Sequence, residues 1–104
     1  MKGIKNIFNK EEEEQKGMKK NNLKYLAKYE ADLITGLFYD YVRQLPTSVL
    51  MDLDRIYTEE SGKTLNTNFS CSACILKLVK QCSRLYFKEL PDRVPEDLRN
   101  RGKI

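Results

Sequence analysis

From Cys71 to Tyr86 the apolar residues return every three or four positions: Cys71, Cys74, Ile75, Leu78, Val79, Cys82, Leu85 and Tyr86. At about 100° per residue they share one continuous face, a period that a β-strand cannot present. No other segment constrains the chain as tightly. It predicts a helix over about 71–89 whose stripe other apolar surfaces must cover. Ser70 stands at the expected N-cap, and Pro91 and Pro95 bar continuation.

The same period recurs upstream. Leu23, Leu26, Leu33, Leu37, Tyr41 and Leu45 form a stripe widened by Ile34, Phe38 and Val42, which predicts a helix over 22–45. Asn21 or Asn22 would cap it and Pro46 would end it. Gly36 weakens such a helix by about 1 kcal/mol relative to alanine, unless another helix crosses closely there. Val49, Leu50, Leu53, Ile56 and Tyr57 predict a second helix over 47–61, capped by Thr47 or Ser48 and closed by Gly62 in the left-handed conformation. The short connection at Pro46 predicts that these first two helices form a hairpin.

No strand pattern and no internal repeat is visible, and 104 residues allow one domain. The expected fold is all-α: three helices, about 22–45, 47–61 and 71–89, between extended charged arms. Residues 1–21 read as a charged N-terminal arm, 22–90 as the helical domain and 91–104 as an extended C-terminal tail, with one turn begun at Pro95. In the first arm Ile4, Ile7 and Phe8 sit at helical spacing and could form one anchoring turn beside the run Glu11–Glu14.

The motif C-x-x-C at Cys71 and Cys74 raises metal and redox readings. A structural zinc needs four ligands at about 2.3 Å. Cys82 lies eight residues beyond Cys74, roughly 12 Å along a helix axis, and the chain has no histidine. A self-contained metal site is therefore not expected; one shared between two chains would need both cysteines of each. Cys71 at a helix N-terminus would have a lowered thiol pKa, but dithiol enzymes of this kind place the motif after a sheet, which is missing here. Cys71, Cys74 and Cys82 are accordingly expected as core thiols. Three cysteines cannot all pair within one chain, which suits a reducing compartment.

Opposite the stripe, Lys77, Arg84 and Lys88 fall within about 40° of one another with Lys80 beside them, and Phe87 lies near this basic face. The expectation is a contact face for phosphates or an acidic protein surface, with Phe87 as a possible anchor. Charge is distributed in blocks: +2 over 1–21, −3 over 22–60, +4 over 61–90 and +1 over 91–104. Such blocks permit head-to-tail pairing with further copies.

Catalysis is not expected. The absence of histidine removes the common general base, there is no glycine-rich phosphate loop, and the pairs Asp52/Asp54 and Glu59/Glu60 diverge on their helix. No cofactor and no small-molecule substrate is implied. No run of about 18 apolar residues could span a membrane, and the N-terminus lacks the apolar region of a secretory signal.

The segment LDRIYTEESGKTLNTNFSCSACILKLVKQCSRLYF is similar in style to small helical accessory proteins of tailed bacteriophages of gut bacteria, including crAss-like phages. Leu53, Ile56, Tyr57, the Ser61-Gly62-Lys63 turn, Leu65-Asn66, Cys71, Cys74, Leu85 and Tyr86 carry the likeness, over about a third of the chain. Phe69 and Ser70 depart from it by delaying the first cysteine. The resemblance implies a virion accessory or host-interaction role, in the virion or the cytoplasm of a bacterial host cell. The leading expectation is thus a non-enzymatic structural or interaction protein that binds neighbouring subunits, or itself, through arms and charged helix faces. A nucleic-acid-binding module is the first alternative; four phosphate contacts would give a log–log salt slope of about −3.6. A small inhibitor of a host enzyme, with Glu11–Glu14 imitating phosphates, is the second.

Overall fold

A computed structural model describes residues 17–101, with side chains through residue 99. The candidate anchors Ile4, Ile7 and Phe8 lie outside the described residues. The described residues hold no strand and four α-helices, where the sequence predicts three. They are α1 (Lys20–Lys28), α2 (Glu30–Tyr39), α3 (Thr47–Ser61) and α4 (Ser72–Glu89), followed by 3-10 turns at Pro91–Arg93 and Glu96–Arg101.

The helix expected over 22–45 is two helices and stops early. At Tyr29 the chain tightens, its N–H donating to the Leu26 carbonyl at 2.9 Å, and helical bonding resumes when Leu33 donates to Tyr29. Both halves contact α4, and the first half is additionally tied to α3 by side chains. Side chains of α1 reach α3: Tyr25 Oη donates to Asp52 at 2.8 Å, and Asn22 Nδ2 to Glu59 and Glu60 at 3.1 and 2.7 Å. Asn22 is therefore a buried crosslink, not a cap. Carboxylates from elsewhere in the fold serve the amides leading into α1 instead: Met18 N–H donates to Glu89 and Lys19 N–H to Glu60, each at 3.1 Å.

α2 packs on α4, and Gly36 is the crossing point. A methyl group placed there would lie 2.5 Å from Val79 Cγ1. Asp40, not Pro46, ends α2 by taking φ 55°, a conformation Asp tolerates better than most residues. Residues 41–46 then run irregularly. Arg43 returns to Asp32 through two bonds of 2.7 and 3.1 Å, while Leu45 reaches the core and Tyr41, expected on the buried stripe, is 61% exposed.

α3 begins directly after Pro46 without a side-chain cap, so neither Thr47 nor Ser48 serves as one. Gly62 closes it at φ 75°, as the sequence suggests, with its N–H on the Thr58 carbonyl. The expected hairpin does not form, because α2 and α3 both pack chiefly on α4. Two successive residues of α4 bind the two flanking helices. Cys82 Sγ donates to the Leu53 carbonyl of α3 at 3.4 Å, and Ser83 Oγ donates to the Leu33 carbonyl of α2 at 2.6 Å.

The C-terminal segment is not an extended tail. Its 3-10 turns place Val94 and Leu98, 5% and 3% exposed, in the common core. Arg93 ties the first turn to Glu30 of α2 through two bonds of 2.8 Å, and Tyr86 Oη donates to the same carboxylate at 2.7 Å.

Candidate functional site

Two surfaces of α4 carry the candidate chemistry. The first is its basic side. Lys77, Arg84 and Lys88 are exposed and form no ion pair among the described residues. Along an 18-residue helix they span roughly 16 Å at 1.5 Å per residue. Lys80 does not belong with them, since its ammonium pairs with Asp40 just beyond α2. Phe87 is also removed from the surface: it is 0% exposed, and its ring meets Phe38 of α2 edge-on at 6.5 Å. The sequence reading placed it near the basic face, as an anchor outside the apolar stripe. Helices on both flanks of α4 bury an arc about 180° wide, which takes in Ser83 and Phe87.

The second surface is the N-terminal end of α4. Cys71, not Ser70, is the N-cap, and its sulfur accepts the Cys74 N–H at 3.1 Å. Cys71 and Cys74 are joined in a disulfide and are partly exposed. The expectation of three core thiols therefore holds only for Cys82. That thiol is fully buried, and burial, reinforced by Asp54, pushes its pKa up to about 12. It stays neutral and serves as a hydrogen-bond donor.

An open groove of about 630 Å³ lies between the 40–47 segment and the start of α4, lined by neither Cys71 nor Cys74. Tyr41, Leu50, Phe69, Ile75 and Leu76 supply its apolar walls. The N–H and C=O groups of residues 42–45 bond to nothing among the described residues. Tyr39 and Met51 are also exposed, at 54% and 57%, but neither lines the groove. The sequence reading missed this groove, because it assigned 41–45 to a helix whose backbone would bond to itself. The one available signal was Asp40, a tolerable left-handed stop ahead of the proline.

Among the described residues, no three His, Cys, Asp or Glu side chains converge as a metal site would require. None of the described helices is long and apolar enough to cross a membrane. Comparison with known proteins finds no matching family, no similar curated protein and no matching solved structure.

Proposed function

We propose that the chain is a non-enzymatic interaction protein, an accessory subunit of a larger protein assembly, that joins neighbours and further copies of itself through charged helix faces. A place in a phage particle, in keeping with the resemblance of residues 53–87, belongs to the same reading. The observation that carries it is the unpaired strip Lys77, Arg84 and Lys88. Arg43, Arg55, Lys80 and Arg93 have carboxylate partners within the fold; among the described residues the three cations of this strip have none. α3 carries net negative charge, Asp52, Asp54, Glu59 and Glu60 against the single cation Arg55, although Asp52, Glu59 and Glu60 also accept hydrogen bonds from Tyr25, Asn22 and Lys19 within the fold. A head-to-tail contact would set the strip of one copy against α3 of the next, which can propagate beyond a dimer.

Sedimentation velocity across a protein dilution series at low salt tests this. The expected result is association that salt weakens and that charge reversal at Lys77, Arg84 and Lys88 abolishes. A monomer at every concentration, indifferent to the reversals, would refute it.

The same strip favours nucleic acid as a second reading. With Lys80 engaged by Asp40, three phosphate contacts remain, so the slope of log K against log salt on duplex DNA becomes about −2.7. Absence of binding at low salt would eliminate it.

A further inference from the structure

The free cations of α4 lead to the groove. Counting from Leu78 at about 100° per residue, Lys88, Arg84 and Lys77 stand between about 240° and 280°. Ala73, on the groove wall, stands at about 220°, one turn beyond Lys77. Strip and groove therefore form one track along α4, basic towards its C-terminal end and apolar towards its N-terminal end. The described chain enters at the C-terminal end of this track, where Met18 N–H donates to Glu89. The residues before it carry the complementary pattern in matching order. Read back from Met18, the run Glu11–Glu14 comes first and the apolar triplet Ile4, Ile7 and Phe8 second.

We propose that residues 4–14 of the chain's own N-terminal arm dock on this track, with Glu11–Glu14 against Lys77, Arg84 and Lys88 and with Ile4, Ile7 and Phe8 in the groove. The lengths agree. Ala73 lies about 24 Å from Glu89 along the helix axis. The way round from Glu89 is about 160°, or about 22 Å at roughly 8 Å from the axis, which makes a path of about 33 Å. The ten residue steps from Met18 to Phe8 span about 33–36 Å when extended. Ile4, Ile7 and Phe8 recur at i, i+3 and i+4, so a single helical turn aims all three at the wall of Tyr41, Leu50, Phe69 and Leu76. So short a tether holds the arm at an effective concentration of about millimolar, above that of a second copy in dilute solution, which favours the chain's own arm as occupant. A docked arm competes with α3 of a neighbouring copy for the same cations, so association requires its release. That consequence rests on the head-to-tail reading; the docking itself does not.

Carbodiimide crosslinking of an equal mixture of unlabelled and heavy-nitrogen-labelled full-length protein, at micromolar concentration, tests this. The expected products join Glu11–Glu14 to Lys77 or Lys88, in peptide pairs that are wholly light or wholly heavy. Ile7→Ser together with Phe8→Ser should cut their yield at least severalfold, because a tether without its anchor meets the strip only transiently. Both positions lie outside the core described above, and circular dichroism checks that the variant remains folded. In the native sequence, nuclear Overhauser contacts are expected between the Phe8 ring and the methyl groups of Leu50 or Leu76. Light–heavy pairs in place of same-label pairs would seat the arm on a neighbouring copy and overturn the proposal. A yield indifferent to the two serines, or a Phe8 ring without contacts in the groove, would overturn it as well. Light–heavy links from Lys77 or Lys88 to Glu59 or Glu60 report the head-to-tail contact instead, so the failure of one reading is not mistaken for failure of the other.

Discussion

Substituting Gly36 tests the packing on which the rest of the architecture depends. On helix propensity alone, Gly36→Ala in α2 should stabilise by about 1 kcal/mol. The crossing reverses that sign. The new Cβ would lie 2.5 Å from Val79 Cγ1, where carbon atoms prefer roughly 3.5–4.0 Å, a shortfall of about 1 Å or more. Val79 is fully buried and β-branched, so its rotamer cannot swing aside. α2 and α4 must separate instead, at the usual overpacking cost of about 1–3 kcal/mol. The expected net effect is a loss of about 1 kcal/mol, or roughly 4–8 °C in Tm for a chain of this size. Val79→Ala removes the obstructing methyl and alone costs about 2 kcal/mol or more. In that background Gly36→Ala should become stabilising by about 1 kcal/mol, so the double-mutant cycle should show a coupling near 2 kcal/mol. Urea unfolding followed by circular dichroism measures all four corners. If Gly36→Ala raises the midpoint with Val79 intact, the helices do not cross there.

Leu98→Ala should destabilise by about 2–4 kcal/mol in the same assay, because Leu98 is core; an arm residue would give nearly zero. Ser83→Ala should cost about 1 kcal/mol by removing the hydroxyl from the Leu33 carbonyl, and a neutral result would dissolve that link between α4 and α2. The pH dependence has a definite sign at Glu30, whose pKa is held below the ordinary carboxylate value by the Arg93 hydrogen bond, then by Tyr86, against the opposing effect of burial. Its contribution is present above the unfolded value of about 4.3 and disappears as pH falls through the lower folded value. A Tm–pH profile of Glu30→Gln should therefore be flatter in acid than that of the native sequence, and parallel profiles would contradict this.

The apolar period revealed which segments are helical and where α3 and α4 end, because it reports local geometry. Gly62 and the close approach at Gly36 were legible for the same reason, since each follows from what a missing Cβ permits. The break at Tyr29 was not legible. It separates α1, which side chains of Asn22 and Tyr25 tie to α3, from α2, which lies along α4 without such ties. Such choices of partner leave no trace in a single stripe. Phe87 and Leu98 were misplaced by the same blindness: a stripe predicts one covered face, whereas α4 is covered on both flanks and the C-terminal turns return to the core. At the candidate site, Lys77, Arg84 and Lys88 were found by spacing, and Lys80 was wrongly joined to them. Only the fold brings Asp40 to its ammonium.

The angular separation on α4 has a consequence for dissecting the proposed interface. Counting from Leu78 at about 100° per residue, the buried arc runs from about 0° at Leu78 to about 180° at Phe87, and the free cations lie between about 240° and 280°. Lys80, at about 200°, occupies the margin between them. Charge reversal at Lys77, Arg84 or Lys88 therefore touches no packed side chain and can abolish binding without loosening the core. Reversal at Lys80 is different in kind. It sets like charges together at Asp40, the residue whose left-handed turn ends α2 and launches the segment lining the groove. A defect from Lys80→Glu would be expected to appear in the groove as well as on the basic strip, so only the other three cations isolate the strip's own contribution.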